Sequence, residues 1–153
     1  MSKNFYLLVL LIASSLISAC DSNQDNTKHT IEVVDFTGTT VGLSKPATRI
    51  VALAPHLVEN AYSAGAGEFL VGVVQHSDFP DSAKEIAIVG GYEKTNHERI
   101  LELEPDLVLA WQSGNSHSSV ELLRELGLTI YVNQADTLEA VSYTHLRAHE
   151  TDS

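Results

Sequence analysis

The segment from Asn96 to Trp111, NHERILELEPDLVLAW, most narrows the folds that this chain can adopt. Asn96 is a good helix N-cap, because its side-chain oxygen can accept a hydrogen bond from a first-turn N–H. Pro105 ends the helix, since the residue before a proline is biased away from helical backbone angles. The apolar run 107–110 then predicts a strand covered on both faces, as in a parallel sheet. Trp111 is therefore expected at the carboxyl end of a buried strand.

Apolar strands alternate with amphipathic helices on both sides of this segment. Further strands are predicted at 49–53, 70–74 and 128–132, and further helices at 57–64 and 120–126. Strands that alternate with helices predict a parallel sheet with right-handed crossovers. The predicted fold class is therefore α/β, a Rossmann-like parallel sheet with flanking helices.

Three local features refine this prediction. Residues 31–43 alternate around a Gly-containing turn and predict a β-hairpin at the edge of the domain. Ser118, with Glu121 three residues later, predicts a capping box at the start of the helix at 120–126. The stretch 82–88 fits a helical turn and a short strand equally well.

The N-terminus has the features of an export signal. Within residues 1–19, Lys3 gives a positive start and 5–12 is an apolar stretch too short for a comfortable membrane span. Small residues lead to Cys20, the only cysteine, which has no disulfide partner, so lipidation of Cys20 is favoured. Residues 20–30 are polar and predict a flexible tether. An ordinary secretory signal with a chance cysteine is the alternative.

The C-terminal residues 141–153 resemble a translated sequencing-adapter sequence. Such segments are excluded from fold prediction, as engineered scars are; a native helix is the alternative. We therefore expect residues 31–140 to form one lobe, a second half to lie outside this sequence, and His145 and His149 to have no functional role.

Charge and motif content argue against several functional classes. A net charge of -11 without a basic cluster is unsuited to binding nucleic acid. The sequence has no G-x-S-x-G elbow of a serine hydrolase. Its first predicted parallel strand is followed by Ala54-Pro55-His56, and not by the G-x-G-x-x-G of dinucleotide-binding folds. The expected activity is recognition and not catalysis.

Four aromatic or imidazole side chains follow predicted strands: His56, His76, Tyr92 and Trp111. Because parallel strands end at one edge of a sheet, where ligands bind in open α/β folds, these side chains are expected to share a rim. Such groups suit a large, flat or apolar ligand. The alternative is a metal site formed by the histidines His56, His76, His97 and His117. Their wide spacing is no local ligand motif, so no metal is expected.

Residues 49–67, 71–80 and 96–111 resemble the periplasmic cobalamin-binding proteins of ABC importers. These proteins belong to a wider group that binds cobalamin, siderophores or haem. The run ERI…PDLV resembles the whole group, whereas HSDFP at 76–80 and AW-x-x-GN at 110–115 resemble the cobalamin branch. The resemblance implies two α/β lobes with the ligand in the cleft between them, and this chain covers the first lobe.

The resemblance also implies a role for each rim residue. Trp111 matches an aromatic wall of the corrin site, and Tyr92 stands where the cobalamin branch often has tryptophan. His76 stands where tyrosine is common. Pro55 and His56 match the loop under the corrin. The implied ligand is cobalamin, carried as cargo and not as a cofactor.

The implied partners are an importer and a membrane. Glu98 matches a surface glutamate that pairs with arginine on the permease. Cys20 would carry the lipid anchor in the periplasm, and Asp21 resembles a signal for retention at the inner membrane. Haem or siderophore binding on the same fold is one alternative; an enzyme or sensor domain that reuses this lobe is another.

Overall fold

The computed structural model describes residues 31–134 of the 153-residue chain. The predicted signal peptide with Cys20, the tether, the helix expected from Asp136 and the adapter-like residues 141–153 lie outside the described residues. The strands are β1 (Ile31–Val34), β2 (Thr40–Leu43), β3 (Ile50–Ala52), β4 (Leu70–Val73), β5 (Ala87–Ile88), β6 (Leu107–Trp111) and β7 (Ile130–Asn133). The helices are α1 (Pro55–Ser63), α2 (His97–Glu102) and α3 (His117–Glu125). Within these residues, no helix is long and apolar enough to cross a membrane.

Five parallel strands form the main sheet in the order β5-β4-β3-β6-β7. The central strand β3 is buried along its whole length, with Val51 opposite Gly72 on one side and Val108 on the other. A strand covered on both faces must be apolar throughout, which explains its sequence Ile-Val-Ala. The predicted α/β fold class with a parallel sheet is confirmed.

Helices pack against both faces of the sheet. On one face α1 buries Leu57, Val58 and Ala61 against β3 and β4. On the other face α2 and α3 contribute Ile100 and Leu123, which are fully buried. Full burial of side chains of this size stabilises the fold by about 1.5–3 kcal/mol each.

Beside α1, over β6 and β7, an apolar groove remains in the described part of the chain. Its lining includes Leu57, Ala61, Leu107, Leu109 and Tyr131. Trp111 packs against the same side of the sheet, at the carboxyl end of β6. Trp111 therefore lies where the carboxyl edge of the sheet meets the face that α1 covers.

The helix ends follow the sequence signals in part. Asn96 caps α2 as predicted, since its side chain accepts a 3.0 Å hydrogen bond from the Arg99 N–H. Gly65 follows α1 with φ 76°, and Gly127 follows α3 with φ 87°, a backbone conformation that glycine adopts without a Cβ penalty.

The capping box predicted at Ser118 is wrong. Helix α3 begins at His117, three residues before the predicted start, and its N-cap is Ser116. The Ser118 hydroxyl pairs with the Ser116 hydroxyl at 2.8 Å, and Glu121 forms an ion pair with Arg124. Both side chains of the expected box are therefore engaged elsewhere.

The ambiguous stretch 82–88 contains both of the predicted elements. A 3-10 helix spans Asp81–Glu85, and the short edge strand β5 follows it. The sheet consequently has one strand more than the four that the alternation of longer segments indicated.

The predicted hairpin forms a separate antiparallel sheet of β1 and β2. The buried carboxylate of Asp35 fastens it to the domain, because Asp35 accepts hydrogen bonds from the backbone N–H groups of Thr37, Thr39 and Val132. Arg124 lies 3.5 Å from the same carboxylate. Burial opposes the ionisation of Asp35, but these hydrogen bonds outweigh it and lower the pKa.

Candidate functional site

The indole of Trp111 occupies the centre of the carboxyl edge. It is half-buried at the last position of β6. The imidazole of His56 meets it edge to face, with ring centroids 5.0 Å apart and planes at 83°. Such a T-shaped pair is a favoured arrangement for ring quadrupoles. His56 lies in the first turn of α1, directly after Pro55, the residue suited to the first helical position.

Pro55 explains how His56 reaches the indole. It opens α1, where its missing N–H has no helical partner to lose and its fixed φ suits the helix. The helix therefore begins immediately beyond β3, and its second residue lies beside the end of β6. Pro55 itself is half-buried.

Tyr92 lies in the loop between β5 and α2, and its ring is the second one beside the indole. Its ring centroid is 6.3 Å from that of Trp111, with the planes tilted by 49°. The side chain is 40% exposed, so one side of the ring remains available for contact. Its hydroxyl donates a 3.1 Å hydrogen bond to the carboxylate of Glu93, which raises the pKa of Tyr92.

His76 is exposed and follows β4 by three residues. Its φ of 66° lies in the left-handed region, which is uncommon for a residue with a side chain, although histidine is among those enriched there. His76 shares the lining of a shallow hollow with Gln75, Gly91 and Tyr92. The structure thus brings all four predicted side chains to the carboxyl edge of the sheet.

The key polar residue that the sequence prediction omitted is Asn115, which is 8% exposed. Its Nδ2 donates to the backbone carbonyl oxygens of Leu53, at 2.9 Å, and of Tyr92, at 2.7 Å. Its Oδ1 accepts a 2.6 Å hydrogen bond from the Trp111 N–H. The motif AW-x-x-GN contains this asparagine, but no sequence signal indicates which carbonyl groups it would join.

Gly114 lies directly against the indole. A Cβ at this position would overlap the six-membered ring of Trp111, so only glycine fits beside the side chain as it stands. Because the backbone hydrogen bonds of Gly114 and Asn115 both return to the Trp111 carbonyl, the loop wraps around the residue that it contacts. The indole is therefore held by its own loop on one side and by His56 on another.

The surroundings of His56 favour the neutral form of its imidazole. Burial lowers the pKa of His56, and the negative charge of Glu59 offsets this only partly. A neutral imidazole retains one donor and one acceptor nitrogen, which suits amide groups or water on a ligand.

The remaining predicted histidines lie elsewhere. His97 is engaged with the Ser119 hydroxyl through Nε2, and His117 is exposed at the start of α3. Across residues 31–134, no three His, Cys, Asp or Glu side chains are grouped so that they could hold a metal ion. Glu98 is exposed in the first turn of α2.

Comparison by sequence gives relatives that are named vitamin B12-binding proteins. The chain is 46% identical to the vitamin B12-binding protein of Vibrio cholerae serotype O1 over 97 residues. The matched segment covers 63% of this chain and 35% of that protein. Identity to the vitamin B12-binding protein of Yersinia pestis is 38% over 99 residues, covering 65% of this chain and 35% of the relative. The chain therefore spans about a third of the length of these curated relatives. No family model matches.

The solved structures agree with the fold. The crystal structure of the periplasmic vitamin B12-binding protein BtuF of Vibrio cholerae is 43% identical with a TM-score of 0.63, over 69% of this chain and 41% of that one. A periplasmic heme-binding protein from Pseudomonas aeruginosa is 23% identical with a TM-score of 0.62, over 69% and 38% of the two chains, and shares the fold. The resemblance to cobalamin-binding proteins that the sequence indicated is confirmed.

Proposed function

We propose that this chain is the first lobe of an extracytoplasmic binding protein that captures cobalamin and delivers it to an ABC importer. The observation that carries the proposal is the half-buried indole of Trp111 at the sheet edge, with His56 and Tyr92 around it. An aromatic surface of this kind suits a flat macrocycle, and the identity to vitamin B12-binding proteins supports the same ligand.

In this proposal Trp111 and Tyr92 supply most of the affinity by apolar contact. His56 and His76 provide polar contacts to the periphery of the ligand, and Pro55 fixes the start of the helix from which His56 projects. The work is recognition and not catalysis, and the relatives are named as binding proteins. Cobalamin is the transported cargo.

The rim forms one wall of a cleft, and we propose that a second lobe forms the other. The relatives are about three times as long as the matched part, which leaves room for such a lobe. Ligand bound against one wall keeps one side in water. The affinity of the 153-residue chain for cobalamin is therefore expected to be weak.

Delivery to the importer would use Glu98. Its carboxylate is exposed on the outer surface of α2, where a permease arginine can approach it and form a charge-assisted hydrogen bond. Lipidation of Cys20 would keep the protein in the periplasm at the membrane, and Asp21 would favour the inner membrane. Glu98→Gln should reduce cobalamin uptake by cells without changing cobalamin binding, and equal uptake would exclude this role.

Ligand titration tests the main proposal. Cyanocobalamin and haemin are each titrated into the chain and into the longer protein that contains it, with calorimetry for the first and absorbance for the second. Binding of cyanocobalamin alone supports the proposal. A Soret shift with haemin alone would favour the haem-binding alternative, for which the imidazoles of His56 and His76 are suitable iron ligands.

A further inference from the structure

We propose that Asn115 is the positioning residue of the aromatic rim: its amide sets the placement of Trp111 and Tyr92 relative to each other. The inference rests on the proposed function, because its consequence is a ligand-facing surface fixed before the ligand arrives. Asn115 need not touch the ligand to act in this way.

The hydrogen bonds of Asn115 connect three separate segments. The Leu53 carbonyl belongs to the end of β3, Tyr92 to the loop after β5, and the Trp111 N–H to the end of β6. Both N–H groups of the amide and one lone pair of its oxygen are therefore in use. A carboxylate or a hydroxyl in the same place could not donate two hydrogen bonds and accept a third in this geometry.

Burial makes these hydrogen bonds decisive for the position of the loop. Asn115 is 92% buried, since its exposed fraction is 8%. A buried carbonyl that loses its donor carries a desolvation cost, so the loop moves until the group finds water. The segment most able to move is that of Tyr92, because Tyr92, Glu93 and Lys94 are all exposed.

The two rings respond to different parts of the amide. The oxygen of Asn115 holds the backbone of Trp111, while the nitrogen holds the backbone of Tyr92. The 6.3 Å between the two ring centroids is consequently set by one side chain that belongs to neither ring. Gly114 and His56 restrict the position of the indole further.

Two variants separate positioning from general stability. Asn115→Ala removes the amide at the rim. Asp106→Ala removes hydrogen bonds to two backbone N–H groups at the opposite, amino edge of the sheet, so it lowers stability without touching the rim and serves as the stability control. Trp111 is the only tryptophan in the chain, so its fluorescence reports directly on the indole. Trypsin cleavage after Lys94 reports on the Tyr92 loop.

Asn115→Ala should shift the Trp111 emission to longer wavelength, speed cleavage after Lys94 and lower cyanocobalamin affinity roughly tenfold, the equivalent of about one lost hydrogen bond. Asp106→Ala should be destabilised but unchanged in all three measurements. Positioning would be ruled out if the two variants behaved alike at matched stability. If neither variant nor wild type binds cyanocobalamin even when the proposed second lobe is present, the proposed function fails, while emission and cleavage of the 153-residue chain still decide the role of Asn115.

Asn115→Asp keeps the shape of the side chain and provides the test should the alanine variant not fold. At neutral pH its carboxylate can still accept from the Trp111 N–H but cannot donate to the carbonyls of Leu53 and Tyr92. We expect unchanged Trp111 emission with faster cleavage after Lys94. Cleavage at the wild-type rate would contradict the proposal.

Discussion

The imidazole of His56 stands almost perpendicular to the indole of Trp111, 5.0 Å from it between ring centroids. The two residues come from different elements, the first turn of α1 and the last position of β6. Their contact joins helix α1 to strand β6 at the edge where the ligand is proposed to bind.

Replacing Trp111 by alanine should weaken cyanocobalamin binding by ~1–3 kcal/mol, the scale of one well-buried aromatic contact. Trp111→Phe should lose less, because a smaller ring still covers part of the ligand. Both are measured by calorimetry in the longer protein. Equal affinity of wild type and the alanine variant would remove the indole from the site.

Gly114→Ala should disturb the indole without altering any side chain of the rim. The added methyl group has no room beside the ring of Trp111, so either the ring or the loop must move. Gly91→Ala is the matched control, because a Cβ there meets its nearest atom at 3.6 Å, an ordinary contact. We expect a changed Trp111 emission spectrum for the first variant and an unchanged one for the second. Identical spectra for both variants would show that the loop moves away from the added methyl group without displacing the indole.

The pKa of His56 in the folded protein should lie below its ordinary value of about 6.5, because burial disfavours the charged ring. Glu59→Gln should lower it further, since the Glu59 charge raises it. As the folded pKa is the lower one, the contribution of His56 to stability is complete above about pH 6.5 and declines as the pH falls towards the folded value. NMR titration of the His56 ring tests both shifts, and an upward shift in either protein would contradict the argument.

Asp35→Asn should destabilise the domain at neutral pH by roughly 1.5–3 kcal/mol, the range for hydrogen bonds to a charged group. Because the folded pKa of Asp35 is lowered, its contribution is present above the unfolded value of about 3.9 and is lost as the pH falls through the folded value. Urea unfolding should therefore show a larger difference in unfolding free energy between wild type and variant at pH 7 than at pH 3, which lies below the unfolded value. Asp81→Asn, which changes an exposed carboxylate paired with Lys84, is the control.

The elements with strong local signals were predictable. The apolar run before Trp111, the Asn96 cap and the glycines after α1 and α3 each act through their own backbone, so the sequence carries the information directly. The order of alternating strands and helices then determined that the strand ends share an edge. The placement of His56, His76, Tyr92 and Trp111 at that edge followed from topology alone.

The features that were not predicted depend on which of several possible hydrogen-bond partners a side chain meets in the folded chain. Ser118 and Glu121 have the spacing of a capping box, yet Ser116 and Arg124 bind them instead. Asn115 connects Leu53, 62 residues earlier, to its own loop, and such a contact has no local signature. Edge strand β5 has two residues and is too short to show the alternation of apolar and polar residues that marks a strand.

The anchoring of the first hairpin has a consequence for how the chain is made. Asp35 receives the Val132 N–H across 97 positions of sequence, and Arg124 also arrives late in synthesis. Contacts between such distant positions form slowly, because a long loop must close first. The opening hairpin therefore lacks this anchor until Val132 has been synthesised, so the described fold cannot be completed before that residue has left the ribosome.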